Sequence, residues 1–196
     1  TQSKLKRNYV NLCGIDEAGR GPIAGPMTVA GVLFKDKAVK GLNDSKKLTE
    51  KKREVLFELI KENSYYHIVF TDATTIDEKG LSACIKDSIL EIMENIKTKN
   101  YLMDGNTAFG INNLTFKIKA DATVPEVSAA SILAKVSRDR YMCKLAPKYA
   151  NYNFRQHKGY GTKAHIEAIK EHGYSDIHRR SFKLKALEDL NQSSLF

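Results

Sequence analysis

Two apolar runs, Tyr9–Ile15 and Met27–Phe34, stand either side of a turn, Ala18–Pro26, that holds three glycines and two prolines. Runs this short, bounded by turn residues, read as strands, and the turn folds the second back on the first as a hairpin-like pair. The first run is apolar on both faces, with Val10 and Leu12 on one and Cys13 and Ile15 on the other. Such a strand belongs inside a sheet that is covered on both sides. The rest of the chain must supply those covers.

It does so with helical patterns. Thr49–Asn63 places Val55, Leu56, Leu59 and Ile60 on one face, and Thr75–Lys97 places Leu81, Ile85, Ile89, Met93 and Ile96 at helical spacing. Thr75 and Glu78 are spaced as a capping box. Between and after these helices come strand signals at Tyr65–Phe70, at Tyr101–Met103, and in the alternation of Leu114, Phe116 and Ile118. Thr123–Glu126 opens a further helix to about Leu145, with Glu126 read as the reciprocal capping partner of Thr123. Thr162–His172 follows with Gly173 as its C-cap, and Lys183–Leu190 is a last short helix. This order predicts an α/β fold, a mixed central sheet flanked by helices. We read residues 1–182 as one domain and 183–196 as a C-terminal helix and tail.

The 196 residues are enough to bury a core without staples, at 42 % hydrophobic and 28 % charged. No apolar stretch approaches the length of a membrane span, and no apolar block behind a basic region opens the chain, so neither anchor nor signal peptide is expected. The three cysteines, Cys13, Cys84 and Cys143, have no metal-ligand spacing and read as small apolar residues in a reducing, cytoplasmic setting. A net charge of +9 points to a polyanionic partner, nucleic acid above all, although a basic and indifferent surface has the same count.

Four carboxylates sit where apolar runs end: Asp16 and Glu17, Asp104 after Tyr-Leu-Met, and Asp121 after Phe-Lys-Ile-Lys-Ala. Clustered carboxylates repel in a dehydrated site, and a divalent cation removes that cost. Oxygen ligands suit Mg²⁺ or Mn²⁺, and paired ions activate water for phosphodiester hydrolysis. Residue types alone leave open that these are separate turn and cap residues. Asp16 and Glu17 add a geometric condition. Neighbours on a regular strand point to opposite faces, so both serve one centre only if the strand ends or bulges there.

The string Gly14–Pro26 (GIDEAGRGPIAGP) closely resembles the signature of the bacterial ribonuclease HII family, the type 2 ribonucleases H. The resemblance continues in Asn43–Thr49 (NDSKKLT), Met103–Gly105 (MDG), Ser128–Asp139 (SAASILAKVSRD) and His157–Thr162 (HKGYGT). It implies a ribonuclease H-like fold with a helical C-terminal extension. It also implies a metal-dependent endoribonuclease that cuts the RNA strand of RNA/DNA hybrids and cuts 5′ to single ribonucleotides in duplex DNA, leaving 3′-hydroxyl and 5′-phosphate ends. Asp16, Glu17, Asp104 and Asp121 match the family's acidic active-site positions. Gly19, Arg20 and Gly21 match the loop that reads the ribonucleotide 2′-hydroxyl, the group that distinguishes RNA from DNA. Tyr160 matches the tyrosine that packs on the sugar beside the scissile junction. Type 3 relatives carry an added N-terminal domain, for which no room is expected before Asp16.

Around that centre, Ser45 and Lys46 lie in a polar loop that family members set against the nucleic-acid backbone. Ser128, Ser131, Lys135 and Arg138 share one helical face and can offer hydroxyls and cations to phosphates, or can pair internally with the acidic cluster or Asp139. Ala129, Ala130 and Ala134 would let that helix lie close on the sheet. His157 and His165 are not required as bases if metal ions generate the nucleophile. The stretch Gln192–Phe196 (QSSLF) resembles the peptide by which bacterial proteins dock on the sliding clamp, with Gln192, Leu195 and Phe196 as its anchors. The expected protein is a monomer. The alternatives are a non-catalytic hybrid-binding module and a DNA-directed nuclease with the same class of metal site.

Overall fold

The computed structural model describes residues 11–42 and 47–183. Strand β1 (Leu12–Ala18) pairs antiparallel with β2 (Met27–Phe34), which pairs antiparallel with β3 (Ser64–Thr71). On its other side β1 runs parallel to β4 (Asn100–Asp104), and β4 runs parallel to β5 (Leu114–Lys117). The five-stranded order β3-β2-β1-β4-β5 is the expected mixed sheet, with β1 at its centre.

Its two covers are helical. Helices α2 (Ala73–Lys79) and α3 (Leu81–Asn95) bury Ile85, Ile89 and Ile92 against Cys13, Ile15, Met27 and Val29. Helices α1 (Glu50–Asn63) and α4 (Pro125–Leu145) bury Leu56, Phe57, Ile60, Ile132 and Leu133 against Ala30, Val32 and Phe34 on the opposite face. The alternation along β2 thus feeds both cores, as a covered central strand requires. Ala129, Ala130 and Ala134 are fully buried, and Gly14 brings the start of α4 closer still. A Cβ on Gly14 would stand 2.3 Å from the backbone of Glu126 and Val127. A third cluster joins Ile23, Ala24 and Met142 to Tyr152, Phe154 of α5 (Phe154–His157) and Ile169 of α6 (Lys163–His172). It ties the C-terminal helices to the Gly/Pro turn.

Several boundaries differ from the sequence expectations. The first strand starts at Leu12, after Asn11 at φ +57°, and runs past Ile15 to Ala18 because the ladder with β2 continues to Ala18↔Thr28. Tyr9 and Val10 lie outside the described residues. The long helix expected over Thr75–Lys97 is two helices, divided at Gly80, whose φ of +79° no helix accommodates. Its N-terminus is capped by Asp72, which accepts from the Thr75 backbone N–H at 2.7 Å, and not by a Thr75–Glu78 box. Glu126 is likewise no capping partner: Val124 holds the N-cap of α4, and Thr123 Oγ1 accepts from Lys117 Nζ at 2.8 Å. In β5, Leu114 is buried but Phe116 and Ile118 are exposed, since this edge strand ends at Lys117. Thr162 and Gly173 cap α6 as expected, while the helix read at Lys183–Leu190 falls on residues the structure does not describe beyond Lys183. Among the described residues no helix is long and apolar enough to cross a membrane.

Candidate active site

Parallel strands β1 and β4 end side by side, and each carries an acid at or near its end. Asp16 lies two residues from the start of the Gly/Pro turn, and Asp104 is the last residue of β4. Asp121 joins them from a 3₁₀ turn, Ala120–Ala122, that leads into α4. Asp104 helps to hold that turn, since its Oδ1 accepts from the Ala120 backbone N–H at 2.6 Å. Ligand atoms of Asp16, Asp104 and Asp121 all lie within 4.8 Å of one another. Asp16 and Asp121 are buried and Asp104 is half-buried. Burial, then the charges of Glu17 and Asp104, holds the Asp16 carboxyl well above the ordinary carboxylate range, against a lowering hydrogen bond from Ser131.

Glu17 occupies a different place. The strand neither ends nor bulges at Asp16, and the register Asp16↔Ala30 and Glu17↔Val29 is regular. Glu17 lines the same cleft but stands outside the group of three. Its Oε1 accepts from Arg20 Nη1 at 3.1 Å, while its Oε2 is buried with no hydrogen-bond partner. Burial also raises the Glu17 carboxyl.

These groups line a cleft of about 240 Å³, together with Ala18, Gly19, Arg53, Ser131, Lys135 and Tyr160. The fit to a hard divalent cation is direct: an all-oxygen donor set, raised carboxyls, and one buried carboxylate oxygen left without a donor.

The opposite wall is the turn after β1. Gly19 has φ +93°, and a Cβ there would stand 2.3 Å from Arg138 Nε, so only glycine fits. Arg20 is exposed, and Gly21 faces Tyr160, whose Cε1 would lie 3.9 Å from a Cβ. Two buried guanidiniums hold this turn from behind. Arg138 donates to the carbonyls of Pro26 (2.8 Å), Ala24 (3.1 Å) and Lys158 (2.9 Å). Arg179 donates to those of Gly25 (2.9 Å) and Arg20 (3.3 Å). Burial and the nearby Arg138 charge push Arg179 down to about 9, so it stays cationic at neutral pH. With the Arg20 carbonyl drawn inward, the trans peptide turns the Gly21 N–H to the outer side of the loop.

Of the expected phosphate contacts, Ser131 and Lys135 line the cleft, with Lys135 tied to Asp139 at 2.8 Å. Arg138 does not: at 1 % exposure, with its three donor nitrogens committed to backbone carbonyls, it braces the loop and presents nothing to a phosphate. Ser45, Lys46, Gln192, Leu195 and Phe196 lie outside the described residues. Sequence reasoning missed Arg53, and it read Arg179 only within the positive charge of His178–Arg180, with packing of the last helices as an equal reading. Arg53 sits one turn into α1, and Arg179 lies beyond the last motif, and its carbonyl partners are more than 150 residues away along the chain. Cys13 and Cys84 are buried, Cys143 is half-buried, and all three are free thiols.

Comparison with known proteins agrees with this geometry. The family model described as Ribonuclease HII matches residues 13–185. Curated ribonucleases HII from Aliarcobacter butzleri and Sulfurovum sp. are 66 % and 54 % identical, over 95 % and 91 % of this chain and 99 % and 94 % of their own. The ribonuclease HII of Archaeoglobus fulgidus, solved in complex with PCNA, superposes with a TM-score of 0.78 at 28 % identity, covering 90 % of this chain and 96 % of that one. Ribonuclease H2 of Pyrococcus horikoshii gives the same TM-score at 26 % identity, over 94 % and 98 %. The chain belongs to the ribonuclease HII family, endoribonucleases that act on RNA/DNA hybrids.

Proposed function

We propose that this ribonuclease HII hydrolyses the phosphodiester on the 5′ side of a ribonucleotide, both in RNA/DNA hybrids and at single ribonucleotides in duplex DNA, and leaves 3′-hydroxyl and 5′-phosphate ends. The observation that carries the reading is the convergence of Asp16, Asp104 and Asp121 on one cleft whose facing wall is the Gly19–Gly21 turn and Tyr160. Asp16, Asp104 and Asp121 would hold Mg²⁺ or Mn²⁺, and the unpartnered Glu17 Oε2 is the fourth oxygen for that site. A divalent cation held by such ligands lowers the pKa of a bound water and offsets charge on the leaving oxygen.

The chain's own groups set where the substrate lies. The braced turn offers backbone groups to a 2′-hydroxyl without having to reorganise, because Arg138 and Arg179 already fix its carbonyls. Tyr160 borders the cleft beside Gly21 and can stack on the adjoining sugar. Lys135 and Arg53 line the cleft and supply phosphate contacts, and the family resemblance adds Ser45 and Lys46 as further ones. The enzyme works as a monomer in the bacterial cytoplasm, a setting that its bacterial relatives and free thiols support. Its tail, through Gln192, Leu195 and Phe196, docks on the sliding clamp. The tail's sequence and the PCNA complex of the archaeal relative support that contact.

A labelled DNA duplex with one ribonucleotide, run beside an all-DNA duplex with Mg²⁺, Mn²⁺ or chelator, tests the reaction. A single metal-dependent cut 5′ to the ribonucleotide, lost in Asp104→Asn, is expected. Cutting of both duplexes would make the chain a general nuclease, and binding without cutting a non-catalytic module. Deleting Gln192–Phe196 should abolish clamp pull-down with turnover unchanged, and retained pull-down would sink the clamp contact.

A further inference from the structure

Behind Tyr160 lie two buried histidines that the reaction does not use. His165 is 0 % and His178 2 % exposed, and their Nε2 atoms are 3.0 Å apart. A nitrogen–nitrogen contact of this length needs one proton between two rings, and the ends of the chain decide whose it is. The Ser175 backbone N–H donates to His178 Nδ1 at 2.9 Å, so that nitrogen carries no proton. The neutral His178 ring therefore bears its proton on Nε2 and donates to His165 Nε2. His165 then carries its proton on Nδ1, which lies 2.9 Å from the Tyr160 carbonyl, a group that can only accept. Start and end demand opposite roles, and a single arrangement of protons satisfies both.

We infer that His165 and His178 form a tautomer-locked relay that fixes the backbone at Tyr160, and that both are positioning residues for the cleavage reaction. The inference rests on the proposed part of Tyr160 in holding substrate. Tyr160 is 43 % exposed, so packing of its ring does little to place it. Its backbone is held instead: its N–H donates to the His157 carbonyl at 2.9 Å, and its carbonyl accepts from Thr162 N–H at 2.8 Å as well as from His165. The ring so placed stands 5.8 Å over the Arg138 guanidinium and faces Gly21. One relay thus registers Tyr160 against the turn that Arg138 and Arg179 brace.

Protonating His165 sets two N–H groups face to face between the rings, and protonating His178 turns an N–H toward the Ser175 N–H, leaving only the Ser175 hydroxyl, 2.7 Å from Nδ1, to accept it. The groups facing the pair oppose a second proton. His157 stacks on His165 at 4.3 Å, and the charges of His157 and Arg180 act on His178, which is enclosed by the rings of Tyr152 and Tyr174 at 5.0 and 5.5 Å. Burial above all, with these neighbours, pushes both histidines down to about 4.

Two measurements on the full chain test the relay. The first is ¹⁵N NMR of the ring nitrogens in metal-free protein. The Nδ1–H form of His165 and the Nε2–H form of His178 are expected, both still neutral at about pH 5.5, below the ordinary histidine pKa of about 6.5. Opposite tautomers, or a protonated ring at that pH, would overturn the relay. The second is single-turnover cleavage of a duplex with one ribonucleotide. His165→Leu removes the donor to Tyr160 and should lower the rate at saturating enzyme roughly tenfold, with little change in the half-saturating concentration. His165→Asn, whose amide nitrogen takes the place of Nδ1, should recover most of the loss. His178→Leu, which removes the donor to His165, serves if His165→Leu does not fold, and His178→Gln, which keeps that donor, should recover most of its loss. Combined with Tyr160→Ala, His165→Leu should cost nothing further. Multiplying losses, or a full rate in His165→Leu, would overturn the positioning role. An unchanged rate in Tyr160→Ala would instead overturn the reading of Tyr160, and the positioning role with it, while leaving the NMR result intact.

Discussion

Along one wall of the cleft, Asp16, Asp104 and Asp121 crowd like charge at the ends of two central strands, and along the other Arg138 and Arg179 bury like charge behind a glycine turn. The two walls handle the same electrostatic problem differently. The arginines carry donors that backbone carbonyls of the turn can accept, so their charge is solvated by the fold itself. Asp104 accepts from the Ala120 N–H and Asp16 from the Ser131 hydroxyl and the Glu17 N–H, while Glu17 Oε2 is buried without a donor. The turn wall has all of its Arg138 donors and all but Nη2 of Arg179 met by the fold, whereas the acidic wall is held short of its minimum until a cation arrives. That is the difference between a part that positions and a part that reacts, and mutation should separate the two.

The largest effect is expected at the acidic wall. Asp16→Asn should lower kcat/KM at least about a thousandfold, the scale seen when a group acting on transition-state charge is removed. The same variant should be more stable than the parent in chelator. The sign follows from the raised Asp16 carboxyl: its ionised form, dominant in the unfolded chain at neutral pH, is disfavoured in the fold, and a neutral amide escapes that cost. A rise of a few degrees in Tm is expected from thermal melts. A fall would mean that this wall is self-sufficient after all.

Arg138→Met should do the converse. It leaves the Ala24, Pro26 and Lys158 carbonyls without their donor, at about 3–5 kcal/mol in urea unfolding for a fold of this kind. Below about 1 kcal/mol, the guanidinium would not be the brace described. Divalent cation is the third lever. At about a hundred times its Kd, Mg²⁺ or Mn²⁺ should stabilise the parent by about 2.7 kcal/mol, and Asp16→Asn much less. Equal stabilisation of both would place the cation elsewhere.

The two walls also differ in how far they can be read without coordinates. Strand-end acids are visible because β1 and β4 are short apolar runs, and an acid that ends each run must emerge at a sheet edge. Gly19 is visible for a related reason, since a turn that tight needs a glycine there. The helix split at Gly80 was hidden because the apolar spacing of Leu81 to Ile96 runs on as if the helix began earlier. Arg138 misled for a deeper reason. On α4 it shares a face with Ser131 and Lys135, but that face passes from the cleft into the interior within one turn, and only tertiary packing shows where. The brace itself joins carbonyls of residues 20–26 to guanidiniums at 138 and 179. Backbone carbonyls have no sequence signature, so no pattern announces such a contact.

The smallest effect is the most discriminating, because acid should pull the two walls in opposite directions. His165 and His178 are neutral in the fold down to about 4 but bind protons near 6.5 once unfolded. Their contribution to stability is therefore fully present above about pH 6.5 and is lost as the pH falls toward 4. Asp16 behaves in the reverse sense. Its folded carboxyl takes up a proton at higher pH than the unfolded one, so acid relieves the native state over part of the same range. In chelator the parent should show a shallow net decline in Tm between about pH 6.5 and 4.5. Asp16→Asn lacks the opposing gain, so its decline should be steeper and its curve should cross toward the parent's at the acid end. A double variant that also carries His178→Gln should flatten again. Parallel curves for the parent and Asp16→Asn would show that the acidic wall is not strained in the metal-free fold, and the contrast between the two walls would then rest on geometry alone.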